Sequence, residues 1–182
     1  MKFTSTEIPD VMVIEPQIIS DGRGFFMETW HAAKFAKSGI KVVFVQDNHS
    51  RSARGTLRGL HYQIRQPQGK LIRVVLGEIF DVAVDLRRKS PTFGRWAGAM
   101  LSADNKHQMW VPVGFAHGFY VTSEVAEIIY KCTDLYAPQH ERAIRWDDPD
   151  IAIDWPLASG GGPVLSSKDK AGVAYKDAEY FE

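Results

Sequence analysis

His61 stands in the run Leu57-Arg58-Gly59-Leu60-His61-Tyr62-Gln63, a titratable base close to a fixed cation and a glycine in a stretch otherwise built like a β-strand. Imidazole has the side-chain pKa closest to neutrality, so it takes and returns a proton at working pH with little tuning. Arg58 cannot do that; its planar guanidinium stays charged and grips phosphate or carboxylate oxygens at two points. Together they suit an anionic ligand that undergoes proton transfer. A lone strand histidine is more often structural than catalytic, so the elements around it must decide.

Those elements read as strands. Apolar runs rich in Val, Ile and Phe fall at residues 11–19, 41–46, 57–63, 70–76, 79–86, 108–112, 119–122 and 127–133. Turn residues such as Asp21-Gly22, Gly77-Glu78, Ser90-Pro91 and Pro112-Val113-Gly114 punctuate them. Many short strands with such breaks favour an all-β antiparallel sandwich or jelly roll over a parallel α/β sheet. Helix is confined to the margins, with residues 29–38, ending at Gly39, the best candidate. The glycine run at 160–162 predicts a loop before the C-terminal tail. At 182 residues the chain is expected to form a single domain, 1–182, with no repeat or linker.

Strand alternation then sorts the polar side chains by face. Phe80, Val82, Val84 and Leu86 share one face of their run, and Ile79, Asp81, Ala83 and Asp85 the other. Asp81 lines either a polar cavity or a solvated outer face. Tyr130 shares its parity with Ala126, Ile128 and Cys132, which points its phenol inward, towards a ligand or a structural hydrogen bond. Lys70 shares a face with Ile72 and Val74, an unusual place for an ammonium unless a ligand or carboxylate receives it or its stem reaches back to solvent. Strict alternation puts Arg58 and His61 on opposite faces, so both reach one ligand only if a bulge or twist occurs at Gly59.

Composition excludes several function classes. Lys plus Arg number 22, as do Asp plus Glu, so no basic field draws in nucleic acid or an anionic membrane surface. The one cysteine, Cys132, leaves no disulfide framework and no cysteine-based zinc site, and fits a reducing compartment. Residues 1–9 lack a long apolar core behind a basic start, and no run of roughly 18 apolar residues occurs, so a cytoplasmic, soluble protein is expected.

Gly59-Leu60-His61-Tyr62-Gln63 and Pro112-Val113-Gly114-Phe115-Ala116-His117 resemble the two half-motifs of the cupin superfamily, small jelly-roll barrels with a ligand cavity. Gln63 stands where the usual second histidine would be, and two histidines without a third strong donor make a poor zinc or iron site. No catalytic metal and no cofactor are therefore expected.

More specifically, the chain resembles the dTDP-4-dehydrorhamnose 3,5-epimerases from Ile8-Pro9-Asp10-Val11 to Ser167-Lys168-Asp169. The resemblance rests on Asp21-x-Arg23-Gly24-Phe25-Phe26-x-Glu28, residues 44–50, Leu57-Arg58-Gly59-Leu60-His61, Gln68-Gly69-Lys70, residues 80–87, Ser90-Pro91-Thr92-Phe93-Gly94 and residues 114–119. It implies inversion at C3 and C5 of a dTDP-linked 4-keto-6-deoxy sugar. The C4 ketone acidifies both hydrogens, a base leaves an enolate, and a proton returns on the opposite face. Matching motifs make His61 the base, Asp169 its partner, Tyr130 the proton donor and Lys70 the enolate-stabilising charge. His117 corresponds to a substrate-contacting histidine and Asp81 to a supporting carboxylate. Arg23, Glu28, Gln46, Asn48 and Arg58 correspond to nucleotide-sugar contacts, Glu141 and Lys168 to contacts near the far end, and Tyr136 to the aromatic that stacks on thymine. The resemblance further implies a homodimer in which the N-terminal segment of one subunit completes the other's site. The rivals are a relative that inverts only C3 or C5, a ketoisomerase on the same barrel, and a non-catalytic nucleotide-sugar binder.

Overall fold

The runs at 57–63, 70–76 and 79–86 form strands because alternation lets each bury one apolar face while a neighbouring strand satisfies its backbone. The computed structural model describes residues 1–158 and 161–182, so Gly160 of the expected loop lies outside the described residues. In chain order the elements are β1 (Lys2–Ser5), β2 (Met12–Glu15), β3 (Ile18–Asp21), β4 (Gly24–Met27), helix α1 (Ala32–Lys37), β5 (Gln46–Ala53) and β6 (Leu57–Gln63). There follow β7 (Lys70–Leu76), β8 (Glu78–Asp85), β9 (Trp96–Ser102), β10 (Gln108–Val111), β11 (Phe115–Val121), β12 (Val125–Cys132), β13 (Glu141–Ala143) and helix α2 (Ser167–Lys170). A six-stranded sheet in the order β1-β2-β10-β7-β12-β5 faces a five-stranded sheet in the order β13-β6-β11-β8-β9, and β3 and β4 form a separate hairpin. The ladders are antiparallel, as expected of a jelly roll.

One core fills the space between the sheets, with Ile72, Val74, Met109 and Ile128 against Ile79, Leu101, Phe115 and Phe119. A second core covers the outer face of the five-stranded sheet, where Leu57, Leu60, Val82, Val84 and Leu86 meet Ile144, Trp155 and other residues of the C-terminal segment. Phe35 of α1 packs with Ile14, Leu71 and Trp110 on the outside of the six-stranded sheet. Ile79 and Ala83 therefore face one core and Val82 and Val84 the other, and β8 is buried on both sides.

Several expected boundaries move. The run at 11–19 breaks at Pro16, which has no N–H to give a ladder, and its halves enter different sheets. The expected strand at 41–46 is irregular until Gln46, where β5 begins and runs on through polar residues to Ala53. The expected helix at 29–38 shortens to α1, whose N-cap position, His31, makes no side-chain capping bond. The strand expected at 119–122 starts earlier, at Phe115. β9, Trp-Ala-Gly-Ala-Met-Leu-Ser, gives little strand signal because Ala and Gly are weak strand formers. Gly98 is nonetheless required there, since a Cβ would come 2.5 Å from the Phe80 ring. Among the described residues no helix is long and apolar enough to cross a membrane.

Candidate active site

The ladder between β6 and β11 settles how Arg58 and His61 come to share a face. His117 stands opposite His61 and Phe119 opposite Arg58, so a two-residue step on β11 spans a three-residue step on β6. The extra residue is a β-bulge at Gly59, as alternation required. Gly59 has φ +140°, and a Cβ there would meet the Gly118 Cα at 2.5 Å, so only glycine fits. Leu57, Leu60 and Tyr62 consequently point into the outer core, while Arg58 and His61 line a cavity of about 360 Å³ between the sheets.

The bulged Gly59 N–H donates to Asp169 Oδ1 at 3.0 Å. Asp169 lies in the first turn of α2, is 3% exposed, and brings Oδ1 to 2.8 Å from His61 Nε2. That contact is an ion-pair distance whose direction falls short of an aligned hydrogen bond, and Nε2 has no other partner among the described residues. Burial alone would raise the Asp169 carboxyl, but His61, the Ser166 hydroxyl and the Gly59 N–H outweigh it and hold the group well below the usual carboxylate range. Burial pushes the His61 imidazole below its ordinary value; Asp169 opposes this, and the Lys168 and Lys70 charges reinforce it. His61 is thus neutral at pH 7, with Nδ1 left for a ligand.

The facing wall comes from the six-stranded sheet. Tyr130 and Lys70 line the same cavity from β12 and β7. Inward parity holds for Tyr130, whose strand-mates Ala126, Ile128 and Cys132 are buried. Burial raises the Tyr130 phenol above its ordinary value, with Cys132 adding to the effect, so it stays protonated. Burial pushes the Lys70 ammonium down, an effect that Cys132, Asp81 and Glu141 oppose. Asp81 resolves to the cavity side rather than a solvated face: it is fully buried, and its Oδ1 lies 2.8 Å from His117 Nε2, while Oδ2 has no partner among the described residues. His117 in turn lines the cavity.

At the cavity mouth the polar groups hold one another in place. Lys168 ion-pairs with Glu141, and the Tyr136 hydroxyl donates to the other Glu141 oxygen at 2.9 Å. The Tyr136 ring is half-exposed, and its backbone N–H donates to Gln46 Oε1 at 2.8 Å. Gln46 also donates to Asn48 at 3.1 Å. Gln63, which occupies the place of a second cupin histidine, ties the loop that carries Tyr136 to the β6–β7 connection, accepting from Ala137 N at 2.9 Å and donating to Leu135 O at 3.2 Å and Gln66 O at 2.7 Å. Arg58 is braced by the Ser52 hydroxyl at 3.0 Å from Nη2 and 3.1 Å from Nε. Among the described residues no three His, Cys, Asp or Glu side chains gather as a metal site.

Two expected residues are not brought to this cavity. Arg23 lies in the turn of the β3–β4 hairpin, paired with Asp21 at 2.6 Å, and Glu28 pairs with Lys34 at 2.7 Å. Neither residue lines the cavity between the sheets. Conversely Ser50, Gln68 and Phe119 line the cavity without having been singled out. Had β5 been started at Gln46, alternation would have put Ser50 in register with Gln46 and Asn48.

The chain is similar in sequence and fold to known sugar-nucleotide epimerases. A family profile described as dTDP-4-dehydrorhamnose 3,5-epimerase matches residues 5–177. A dTDP-4-dehydrorhamnose 3,5-epimerase of Pseudomonas aeruginosa is 62% identical over 182 residues, covering 100% of this chain and 99% of its own length. The crystal structure of a dTDP-6-deoxy-D-glucose-3,5-epimerase from Legionella pneumophila, in complex with dTDP-4-keto-L-rhamnose, superposes with a TM-score of 0.94 at 52% identity, covering 98% of this chain and 94% of that one. A 3′-monoepimerase from Streptomyces bikiniensis in complex with dTDP-quinovose superposes with a TM-score of 0.86 at 34% identity, covering 93% of this chain and 86% of that one.

Proposed function

This chain belongs to the dTDP-4-dehydrorhamnose 3,5-epimerase family, and from that premise we propose that His61, Asp169, Lys70 and Tyr130 carry its reaction in the cavity between the two sheets. The protein is an isomerase that inverts C3 and C5 of dTDP-4-dehydro-6-deoxy-D-glucose to give dTDP-4-dehydro-L-rhamnose. His61 takes the proton from the carbon next to the C4 ketone. Asp169 holds the imidazole through Nε2 and stabilises the imidazolium formed. Lys70, poorly hydrated and close to the sugar, stabilises the enolate oxygen. Tyr130 returns a proton from the other face, the phenolate and imidazolium then re-equilibrate with water, and the second carbon is treated in the same way.

The observation that carries this reading is the disposition of base and acid. His61 projects from the five-stranded sheet and Tyr130 from the six-stranded sheet into one cavity, so a sugar ring between them meets the two groups on opposite sides. Inversion requires that arrangement, because a base and acid on one side would restore the original configuration. A binder without catalysis has no need of an acid facing the base. Arg58, Gln46, Asn48, Lys168, Glu141 and Tyr136 are proposed to hold the nucleotide diphosphate, His117 and its partner Asp81 to bind and orient the sugar, and no metal or cofactor is invoked.

Arg23 and Glu28 are assigned to the site of a second copy of this chain. What supports this is their exposed hairpin, in which Ile19, Phe25 and Phe26 are 60%, 58% and 68% exposed, a surface that an isolated molecule leaves uncovered. The working unit is then a cytoplasmic homodimer. Turnover of the 4-keto-6-deoxyglucose nucleotide in heavy water tests the reaction: deuterium at both C3 and C5 is expected, and label at a single carbon would assign the chain to the monoepimerases instead.

A further inference from the structure

We propose that Ser166 is a positioning residue for this reaction, the third member of a chain in which Ser166 fixes Asp169 and Asp169 fixes His61. The inference rests on the assignment of His61 as base and Asp169 as its partner. Ser166 is the residue just before α2. Its hydroxyl donates to Asp169 Oδ2 at 2.5 Å, and its backbone N–H donates to the same oxygen at 3.1 Å. The Asp169 N–H donates back to Ser166 Oγ at 3.2 Å, so the hydroxyl has its acceptor side occupied and its proton directed at the carboxylate. Oδ1 receives the Gly59 N–H at 3.0 Å and faces His61 Nε2 at 2.8 Å.

A carboxylate has about four acceptor positions. Here two are taken by Ser166, one by the bulge of β6 and one by His61, which leaves the group no freedom to turn about its Cβ–Cγ bond. This matters because the imidazole contact is close but imperfectly aligned, so a carboxylate free to rotate could give Oδ1 to water and release the ring. Hydrogen bonds to a charged acceptor are about twice as strong as neutral ones, and the hydroxyl contact is the shorter of the two from Ser166. Ser166 is absent from the cavity lining and therefore acts only through Asp169.

Glycine is nearly as good as serine at an N-cap, whereas alanine is not. Ser166→Gly therefore removes the hydroxyl while leaving the helix start intact, and Ser166→Thr keeps a hydroxyl in place. The test compares kcat, KM and the dTDP dissociation constant for the full-length wild type, Ser166→Gly, Ser166→Thr, Asp169→Asn and the Ser166→Gly/Asp169→Asn double variant. Loss of one charge-assisted hydrogen bond predicts a fall in kcat of about tenfold for Ser166→Gly. KM and dTDP affinity stay at the wild-type values, and Ser166→Thr recovers most of the rate. In the Asp169→Asn background the same glycine substitution is expected to change kcat by less than about twofold, because the group through which it acts is already gone. A Ser166→Gly enzyme with wild-type kcat overturns the proposal, as does an equal loss in both backgrounds, which would mark Ser166 as a general stabiliser. An inactive wild type would instead remove the epimerase assignment on which the inference rests.

Discussion

At the scale of single residues, two environments set two protonation states. Burial, reinforced by the Lys168 and Lys70 charges, presses His61 toward the neutral form, while burial keeps Tyr130 protonated. A neutral base and a protonated acid are what the first proton transfer needs. Because the His61 pKa lies below its ordinary 6.5, kcat/KM should hold its plateau as pH falls past that value and decline only at lower pH. Asp169 favours the imidazolium, so Asp169→Asn should move the acid limb to still lower pH, whereas Lys168→Met, which removes an opposing charge, should move it up. A pH–rate series for the three proteins checks both signs, and shifts in the opposite sense would break the electrostatic account. His61→Asn should cost on the order of 10²- to 10⁴-fold in turnover with dTDP binding retained. Tyr130→Phe should still wash substrate hydrogen into solvent while failing to invert, so a normal epimer yield from that variant would remove Tyr130 as donor.

At the scale of the element, β6 is the piece on which the site turns. Its bulge does two things at once, since it rotates His61 onto the face of Arg58 and withdraws the Gly59 N–H from the ladder so that Asp169 can accept it. Gly59→Ala would drive a methyl group into β11 at a positive φ, at a cost of about 1–3 kcal/mol. Its effect on catalysis should exceed its effect on folding, because restoring regular register moves either Arg58 or His61 out of the cavity. Denaturant midpoints read beside kcat separate the two: a folded Gly59→Ala protein of wild-type turnover would show the bulge to be dispensable. The need for a bulge was legible from Arg58 and His61 alone. β5 was not legible, because its inward residues Gln46, Asn48, Ser50 and Ser52 are polar, the first three lining the cavity and Ser52 bracing Arg58, which inverts the hydrophobic alternation by which strands are recognised.

At the scale of the whole molecule, one chain supplies both walls of the cavity and leaves the β3–β4 hairpin uncovered. If that hairpin completes a neighbouring site, sedimentation should report a dimer, and Phe26→Asp should shift it toward monomer by putting a charge where apolar area is buried. Arg23→Ala should weaken dTDP binding while leaving the chain's own fold unchanged. Mixing Arg23→Ala with His61→Asn subunits offers a sharper reading, since a shared site places the lesions of a mixed dimer so that one of its two sites is intact and regains activity. A mixture no more active than the sum of its parts would make the sites independent.

Sequence alone determined the strand-rich jelly roll, the inward parity of Tyr130, the conflict at Gly59 and, through dense motifs, the reaction class, because alternation and local spacing are properties of neighbours along the chain. Only the tertiary structure decided that Asp81 is buried against His117, that His61 and Tyr130 stand on different sheets, and that Arg23 and Glu28 lie away from this chain's cavity. Those facts depend on which elements meet in space, Asp81 with His117 over 36 positions of sequence, and a one-dimensional pattern holds no record of long-range pairing until the chain has closed on itself.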